Sequence, residues 1–210
     1  MSTDRRPNQH YEKRLAREGF TCIAGVGEVG RGAWAGPLVA AAVVLPLRPR
    51  IHGIDDSKQL TRLQRERAAQ KIIARAVCYA VGVVSHEELD SIGVAAANAL
   101  AMVRAVEGLS TQPDHVLPDY VLIDAFTLRA LHIPQASIKH GDALIYSIAA
   151  ASIIAKVHRD KLMNEYHEQF PQYGFHSNKG YGTAAHQKAL ATHGLTPVHR
   201  MSFQPMKTMV

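Results

Sequence analysis

The stretch Cys22 to Pro37, CIAGVGEVGRGAWAGP, restricts what this chain can become more than any other segment. It opens as an apolar strand, Cys22-Ile23-Ala24-Gly25-Val26, sets Glu28 where that strand should end, and then runs into Gly30, Gly32 and Gly36. Glycine has no Cβ, so the amides around Gly30-Arg31-Gly32 can approach a ligand closely, and Arg31 adds a charged fork suited to phosphate. A lone Gly-x-Gly is more often an ordinary turn, so the weight falls on what the rest of the chain places beside it.

Pro37 to Leu45 reads as a second, deeply buried strand, and two adjacent apolar strands suggest the middle of a sheet. After prolines 46 and 49 comes a polar loop, Gly53-Ile54-Asp55-Asp56-Ser57-Lys58, whose Lys58 could face the same site. Thr61 with Gln64 and Ser85 with Glu88 fit helix capping boxes, and Ala69, Ile72, Ile73 and Ala76 form an apolar stripe behind the first of them. Val77 to Val84 is strand-like, Val94 to Val106 is an alanine-rich helix, and Tyr120-Val121-Leu122-Ile123-Asp124 is a third strand that again ends on a carboxylate. A short strand around Ala136 to Lys139 follows, and Asp142 then stands at the N-cap position of a long helix predicted over Ala143 to Asn164. Lys156, His158, Arg159 and Lys161 fall near its far end, where positive charge suits the helix dipole. Beyond it, Tyr173 to Thr183 mixes glycine, aromatic and basic residues as stacking on a sugar or base would require, although tyrosines packed on the core would read the same way.

With 210 residues and 47% hydrophobic content the chain is long enough to bury a proper core, and its net charge of +6 favours a polyanionic partner. Its 2 cysteines, Cys22 and Cys78, lie in apolar runs without metal-ligand spacing, which points to buried thiols in a reducing compartment. The N-terminus lacks an apolar leader, and the longest apolar run, Ala143 to Ala155, is broken by Tyr146, Ser147 and Ser152 and falls short of the roughly 20 residues of a membrane span. A soluble, cytoplasmic protein is expected. Despite 12 histidines there is no Gly-x-Ser-x-Gly elbow to suggest a serine hydrolase.

The set GVGEVGRG at 25–32, AGP at 35–37, DDSK at 55–58, YVLID at 120–124, GD at 141–142, SIAAASIIAKVHRD at 147–160, KGYGT at 179–183 and HRMSF at 199–203 strongly resembles bacterial ribonuclease HII over nearly the whole chain. The resemblance implies an α/β ribonuclease H-like fold, a central mixed sheet flanked by helices, in a single domain over 1–210. Its core would span about 20–165 and a substrate-contacting helical extension about 166–210. It implies an endonuclease that cuts RNA in RNA–DNA hybrids and 5′ to a single ribonucleotide in duplex DNA, working as a monomer without an organic cofactor. Glu28, Asp124 and Asp142 would belong to a four-carboxylate site for two Mg²⁺ or Mn²⁺ ions. Gly30, Arg31 and Gly32 would sense the ribose 2′-OH, and Tyr181 would stack on the adjoining deoxyribose. Hard dications suit carboxylate oxygens, and the 2′-OH is the group that separates RNA from DNA.

One position departs from the family, whose members carry a metal-binding aspartate immediately before the glutamate; this chain has Gly27. Weaker metal binding and slower cleavage are expected, with Asp55 or Asp56 as replacements only if their loop folds inward. Fold and recognition should survive, because glycine at a strand end costs at most about 1 kcal/mol. The alternative reading is a protein that binds RNA–DNA junctions without cutting them.

Overall fold

The computed structural model describes residues 6–111 and 116–209, so part of the expectation about a leader lies outside the described residues. Five strands, β1 (Ile23–Val29), β2 (Leu38–Val44), β3 (Cys78–Val84), β4 (Tyr120–Asp124) and β5 (Gln135–Ile138), form one sheet in the order β3-β2-β1-β4-β5. β1, β2 and β3 pair antiparallel, while β4 runs parallel to β1 and β5 parallel to β4, so the expected mixed sheet is present. Every residue of β2 is buried, as an apolar strand covered on both faces requires, whereas the outermost β3 alternates between buried and half-buried. β1 is longer than its apolar run suggests, and Glu28 therefore lies inside the strand, one residue before its end.

The helices are α1 (His10–Arg17), α2 (Arg62–Ile73), α3 (His86–Ile92), α4 (Val94–Glu107), α5 (Gly141–Leu144), α6 (Tyr146–Gln169), α7 (Phe175–Asn178) and α8 (Ala184–His193). Both expected capping boxes close, Thr61 with Gln64 on α2 and Ser85 with Glu88 on α3. The stripe on α2 is rotated from the expected one: Ala68, Ala69 and Ile72 are buried and Ile73 is 44% exposed. α4 covers one face of the sheet in a cluster with Ala24, Val26, Ala40 and Ile123, and α6 covers the other with Val39, Ala41 and Val43.

The long helix differs from expectation at both ends. Asp142 does not cap it; the chain makes the short helix α5, turns at Ile145, and only then enters α6. The first turn of α6 is capped from a distance by Glu12 of α1, whose Oε1 accepts from the Ser147 amide at 2.9 Å and from the Ser147 hydroxyl at 2.8 Å. Burial raises the Glu12 carboxyl above its ordinary range despite those bonds. Because α6 continues to Gln169, Lys156, His158, Arg159 and Lys161 are mid-helix residues, and the helix-dipole explanation does not apply to them. Cys22 also departs from its reading, lying half-buried just before β1, with its amide held by Asp119 at 3.0 Å.

The C-terminal residues form a separate apolar cluster in which Ala35 from the first glycine-rich turn meets Met163, Tyr173, Phe175 and Val198. Asp90 of α3 pins the last segment by accepting from the amides of Met201 at 2.6 Å and Ser202 at 3.1 Å.

β1 and α6 touch almost backbone to backbone. A Cβ built on Gly25 would strike the Ser147 carbonyl carbon and lie 2.6 Å from the Ile148 nitrogen. Gly25→Ala is therefore expected to destabilise the fold by about 2–3 kcal/mol, the scale of overpacking in a closed core. Denaturant unfolding measures it; an unchanged midpoint would show that α6 lifts away at little cost.

Candidate active site

Parallel pairing sets Val26 beside Ile123, so the ends of β1 and β4 lie side by side and bring Glu28 and Asp124 to the same edge of the sheet. α5 begins at that edge, and its Gly141 amide donates to Asp124 Oδ1 at 2.9 Å. Asp142, released from any capping role, faces the same space. The three carboxylates line one cleft of about 430 Å³ together with Lys58, the turn Gly30-Arg31-Gly32 and Tyr181. All the site residues singled out by the sequence thus share one cleft.

The charges in it are strongly coupled. Glu28 is pushed up to about 7, first by burial, with Arg31 opposing the shift and Asp124 adding to it. Asp124 is also raised, chiefly by burial, although the Gly141 amide works against the rise. Lys58 Nζ stands 2.5 Å from Asp142 Oδ2, and this bond and charge outweigh the effect of burial to raise the ammonium above its ordinary value. Arg31 Nε lies 4.0 Å from Glu28 Oε1, and the other Glu28 oxygen, Oε2, is buried without a hydrogen-bond partner.

Three non-glycine residues with left-handed backbone sit next to these groups: Ala125 follows Asp124 (φ 51°), His140 begins the turn into Asp142 (φ 60°), and Lys179 precedes Gly180-Tyr181 (φ 52°). Such conformations cost free energy and persist where surrounding structure enforces them, here where the chain must turn a side chain toward the cleft.

The donor set suits a hard divalent cation in kind, being carboxylate oxygens with one buried and unsatisfied. Its spacing is looser than the expected convergence: among the described residues no three His, Cys, Asp or Glu side chains are grouped closely enough to hold an ion. Like charges separate unless a cation lies between them, and among the described residues the cation paired with Asp142 is Lys58. Neither neighbouring aspartate supplies a further ligand. Asp55 belongs to another cavity, and Asp56 Oδ1 accepts from the Lys58 amide at 3.0 Å, fixing the loop that carries Lys58.

Gly27 is not at a strand end, as the sequence suggested, but two residues inside β1. It faces α6, where an added Cβ would strike Ser152 Oγ and come within 2.8 Å of the Ser152 nitrogen. Ser152 also lines the cleft, as do Ser57, Arg65 and Lys156. Sequence reasoning passed over these four. Ser152 and Lys156 are four residues apart on one helix, a spacing that places them on the same face and could have flagged them. Of the aromatics in 173–183, Tyr173 and Phe175 are core residues packed against each other with ring centroids 5.5 Å apart, and only Tyr181 reaches the cleft.

Residues 24–206 match the family model described as Ribonuclease HII. A ribonuclease HII of Desulfitobacterium hafniense (strain DSM 10664 / DCB-2) is 50% identical over 196 residues, 93% of this chain and 74% of the relative. The crystal structure of ribonuclease H2 from Pyrococcus horikoshii OT3 superposes with a TM-score of 0.76 at 26% identity, covering 90% of this chain and 97% of that one. Bst-RNase HIII in complex with Mn²⁺ superposes with a TM-score of 0.74 at 22% identity, covering 91% of this chain and 70% of that one, and at that identity speaks for the fold alone. The fold is accordingly ribonuclease H-like.

The Glu28 shift has a consequence for stability in chelator-treated protein. With a folded value of about 7 against 4.5, the folded chain holds more protons than the unfolded chain in that interval, so the Glu28 contribution falls as pH rises through it. Glu28→Gln is expected to gain stability over the parent at about pH 8 relative to about pH 5. Thermal unfolding at the two pH values checks this, and a parent-to-variant difference independent of pH would refute the shifted carboxyl.

Proposed function

Because the chain belongs to the ribonuclease HII family, a family of endonucleases acting on nucleic acid, we propose that it hydrolyses RNA in RNA–DNA hybrids and the phosphodiester 5′ to a single ribonucleotide in duplex DNA. The observation that carries this reading is the single cleft lined by Glu28, Asp124 and Asp142 together with Gly30, Arg31, Gly32 and Tyr181. The carboxylates would hold two Mg²⁺ or Mn²⁺ ions, and Glu28 Oε2, buried and unpartnered, is the oxygen most in need of one. Bound there, such ions supply charge stabilisation for the attacking and leaving oxygens of an in-line displacement.

The protein's own groups account for the rest. The exposed turn at Arg31 and Gly32 brings backbone within reach of a ribose 2′-OH, and the Arg31 guanidinium offers a phosphate contact. Tyr181, half-buried, presents a ring face for the neighbouring sugar. Lys58, largely exposed but tied to Asp142, neutralises that carboxylate before a dication arrives and is then free to meet a phosphate. Residues 166–210 act as the extension that delivers Tyr181 to the cleft.

Gly27 takes away the family's aspartate and leaves three carboxylates, so cleavage is proposed to be impaired while recognition is retained. The contact between Gly27 and Ser152 adds a condition to any restoration: Gly27→Asp needs the Ser152 hydroxyl out of the way and the α6 backbone at the Ser152 nitrogen, 2.8 Å from an added Cβ, to shift. In a Ser152→Ala background, Gly27→Asp is expected to raise cleavage of a duplex with one ribonucleotide by about 100-fold, the effect of regaining a ligand in a two-metal site. Cleavage by the parent at the rate of the double variant would end the idea that Gly27 is the defect. A parent that binds the ribonucleotide duplex but shows no cleavage with Mg²⁺ or Mn²⁺ before or after restoration would instead mark a non-cutting junction binder.

Lys58→Met is expected to tighten Mn²⁺ binding about three- to tenfold, because a positive charge beside the ion is removed. Calorimetric titration of Mn²⁺ into the two proteins reads this directly, and weaker binding by the variant would mean that Lys58 organises the carboxylates rather than competing for one.

A further inference from the structure

Two arginines of this chain are wholly buried, Arg159 in α6 and Arg200 in the last segment, and neither bonds a carboxylate among the described residues. Burying a guanidinium without a counter-ion is costly, so the fold must use what the group offers, a rigid fork of donors. Arg159 spends its fork on three backbone carbonyls: Nε donates to Pro37 at 2.9 Å, Nη2 to Ala35 at 3.0 Å and Nη1 to Lys179 at 2.8 Å. Arg200 donates through Nε to Gly36 at 3.0 Å and through Nη1 to Arg31 at 3.1 Å.

The acceptors fall in two turns far apart in sequence. Four belong to the turn that carries Gly30-Arg31-Gly32, and the Lys179 carbonyl belongs to the turn that carries Tyr181. The turns also bond directly, with the Trp34 amide donating to the Gly180 carbonyl at 2.7 Å and the Ala35 amide to the same carbonyl at 3.3 Å, while the Arg200 amide ties the last segment to the first turn by donating to the Trp34 carbonyl at 2.8 Å. The Arg159 guanidinium carbon lies 5.6 Å from the centroid of the Tyr181 ring. Gly30 is fitted to this arrangement as well: its φ is 98°, and a Cβ there would strike Arg159 Nε.

We infer that Arg159 and Arg200 are positioning residues, Arg159 clamping the Gly30–Gly32 turn to the Tyr181 turn and Arg200 fixing the first turn at Arg31 and Gly36, so that discrimination of a ribonucleotide from a deoxyribonucleotide depends on two side chains buried beneath one reader. The inference rests on the proposed reading of those turns as the substrate contacts. Only arginine satisfies it, because lysine keeps the charge but lacks the planar fork with which Arg159 holds carbonyls of both turns and Arg200 holds two carbonyls of the first.

The test is binding, without divalent metal and at one fixed salt concentration, of a DNA duplex bearing one ribonucleotide and of the same duplex without it. Arg159→Lys and Arg200→Lys are each expected to weaken the ribonucleotide complex about tenfold and to leave the all-DNA complex within about twofold, since charge is preserved while the reader is loosened. Variants that keep the parent's preference, or that lose both duplexes equally, overturn the inference and leave the proposed function standing. A parent with no preference for the ribonucleotide sinks the reading itself, and the inference falls with it. Should the lysine variants not fold, hydrogen exchange on the parent decides. Common protection of the Trp34, Ala35 and Gly36 amides of the first turn and the Gly180 and Tyr181 amides of the second, increased by the ribonucleotide duplex and not by the all-DNA duplex, supports the clamp. Independent exchange of the two turns refutes it.

Discussion

A helix can lie against a strand at near backbone contact only where the strand offers no side chains, and β1 meets that condition at Gly25 and Gly27. α6 answers with its own small residues, Ser147, Ala151 and Ser152 among them, all buried. The consequences spread outward from this contact. Its closeness draws the Ser152 and Lys156 side of α6 to the cleft and carries Arg159 beneath the first glycine-rich turn. It also leaves the first turn of α6 without a local cap, a need that Glu12 of α1 meets from across the chain. The same closeness makes Gly27 more than a missing ligand, because the space an aspartate would use is shared with Ser152.

Charge is distributed in layers around that contact. The cleft floor is acidic and desolvated enough to push Glu28 to about 7. Below the adjoining turns lie two buried guanidiniums, and burial followed by the nearby Arg159 lowers Arg200 to about 9. Cations at the rim, Arg31 and Lys58, are exposed, Lys58 being paired with Asp142. The carboxylates are held at a cost that a bound dication would offset, whereas the buried arginines are held by the backbone carbonyls they organise. A second buried polar arrangement, His186 Nε2 at 3.1 Å from His199 Nε2, sits inside the extension. The His186 Nδ1 contact with the Tyr181 carbonyl makes that nitrogen the donor, so His199 donates to His186 and accepts from the Thr196 amide. Both rings are kept below their ordinary values mainly by burial, His199 to about 4, in keeping with a neutral chain of bonds.

Much of the fold was legible one element at a time. Strands β1 to β4, the two capping boxes and the alanine-rich α4 follow from periodicity and local hydrogen-bonding chemistry, which act within a few residues. So does the choice of Glu28, Asp124 and Asp142 as groups at the borders of elements, and of Gly30 to Gly32 as backbone open to approach. Local signals failed where a distant group took over a local task. Asp142 has the sequence of an N-cap, yet Glu12 does that work from 135 residues away. Lys156 and Arg159 resemble end-of-helix charge, yet the helix runs on to Gln169 and Arg159 is fully buried. Tyr173 and Phe175 look like stacking platforms, yet they fill the core of the extension.

By itself, then, the sequence determined which residues are candidates for the chemistry and which segments are strands or helices, because side-chain type and hydrophobic period are local properties. The tertiary structure alone decided that parallel pairing of β1 with β4 sets two carboxylates at one edge, and that Lys58 rather than Asp55 or Asp56 turns into the cleft. It alone decided that Gly27 lies under Ser152, that Arg159 ties the Gly30–Gly32 turn to the turn before Tyr181, and that Arg200 holds the first of these from below. These outcomes depend on how close two backbones come. That distance is fixed by the summed packing of both sheet faces and is written in no single segment of the chain.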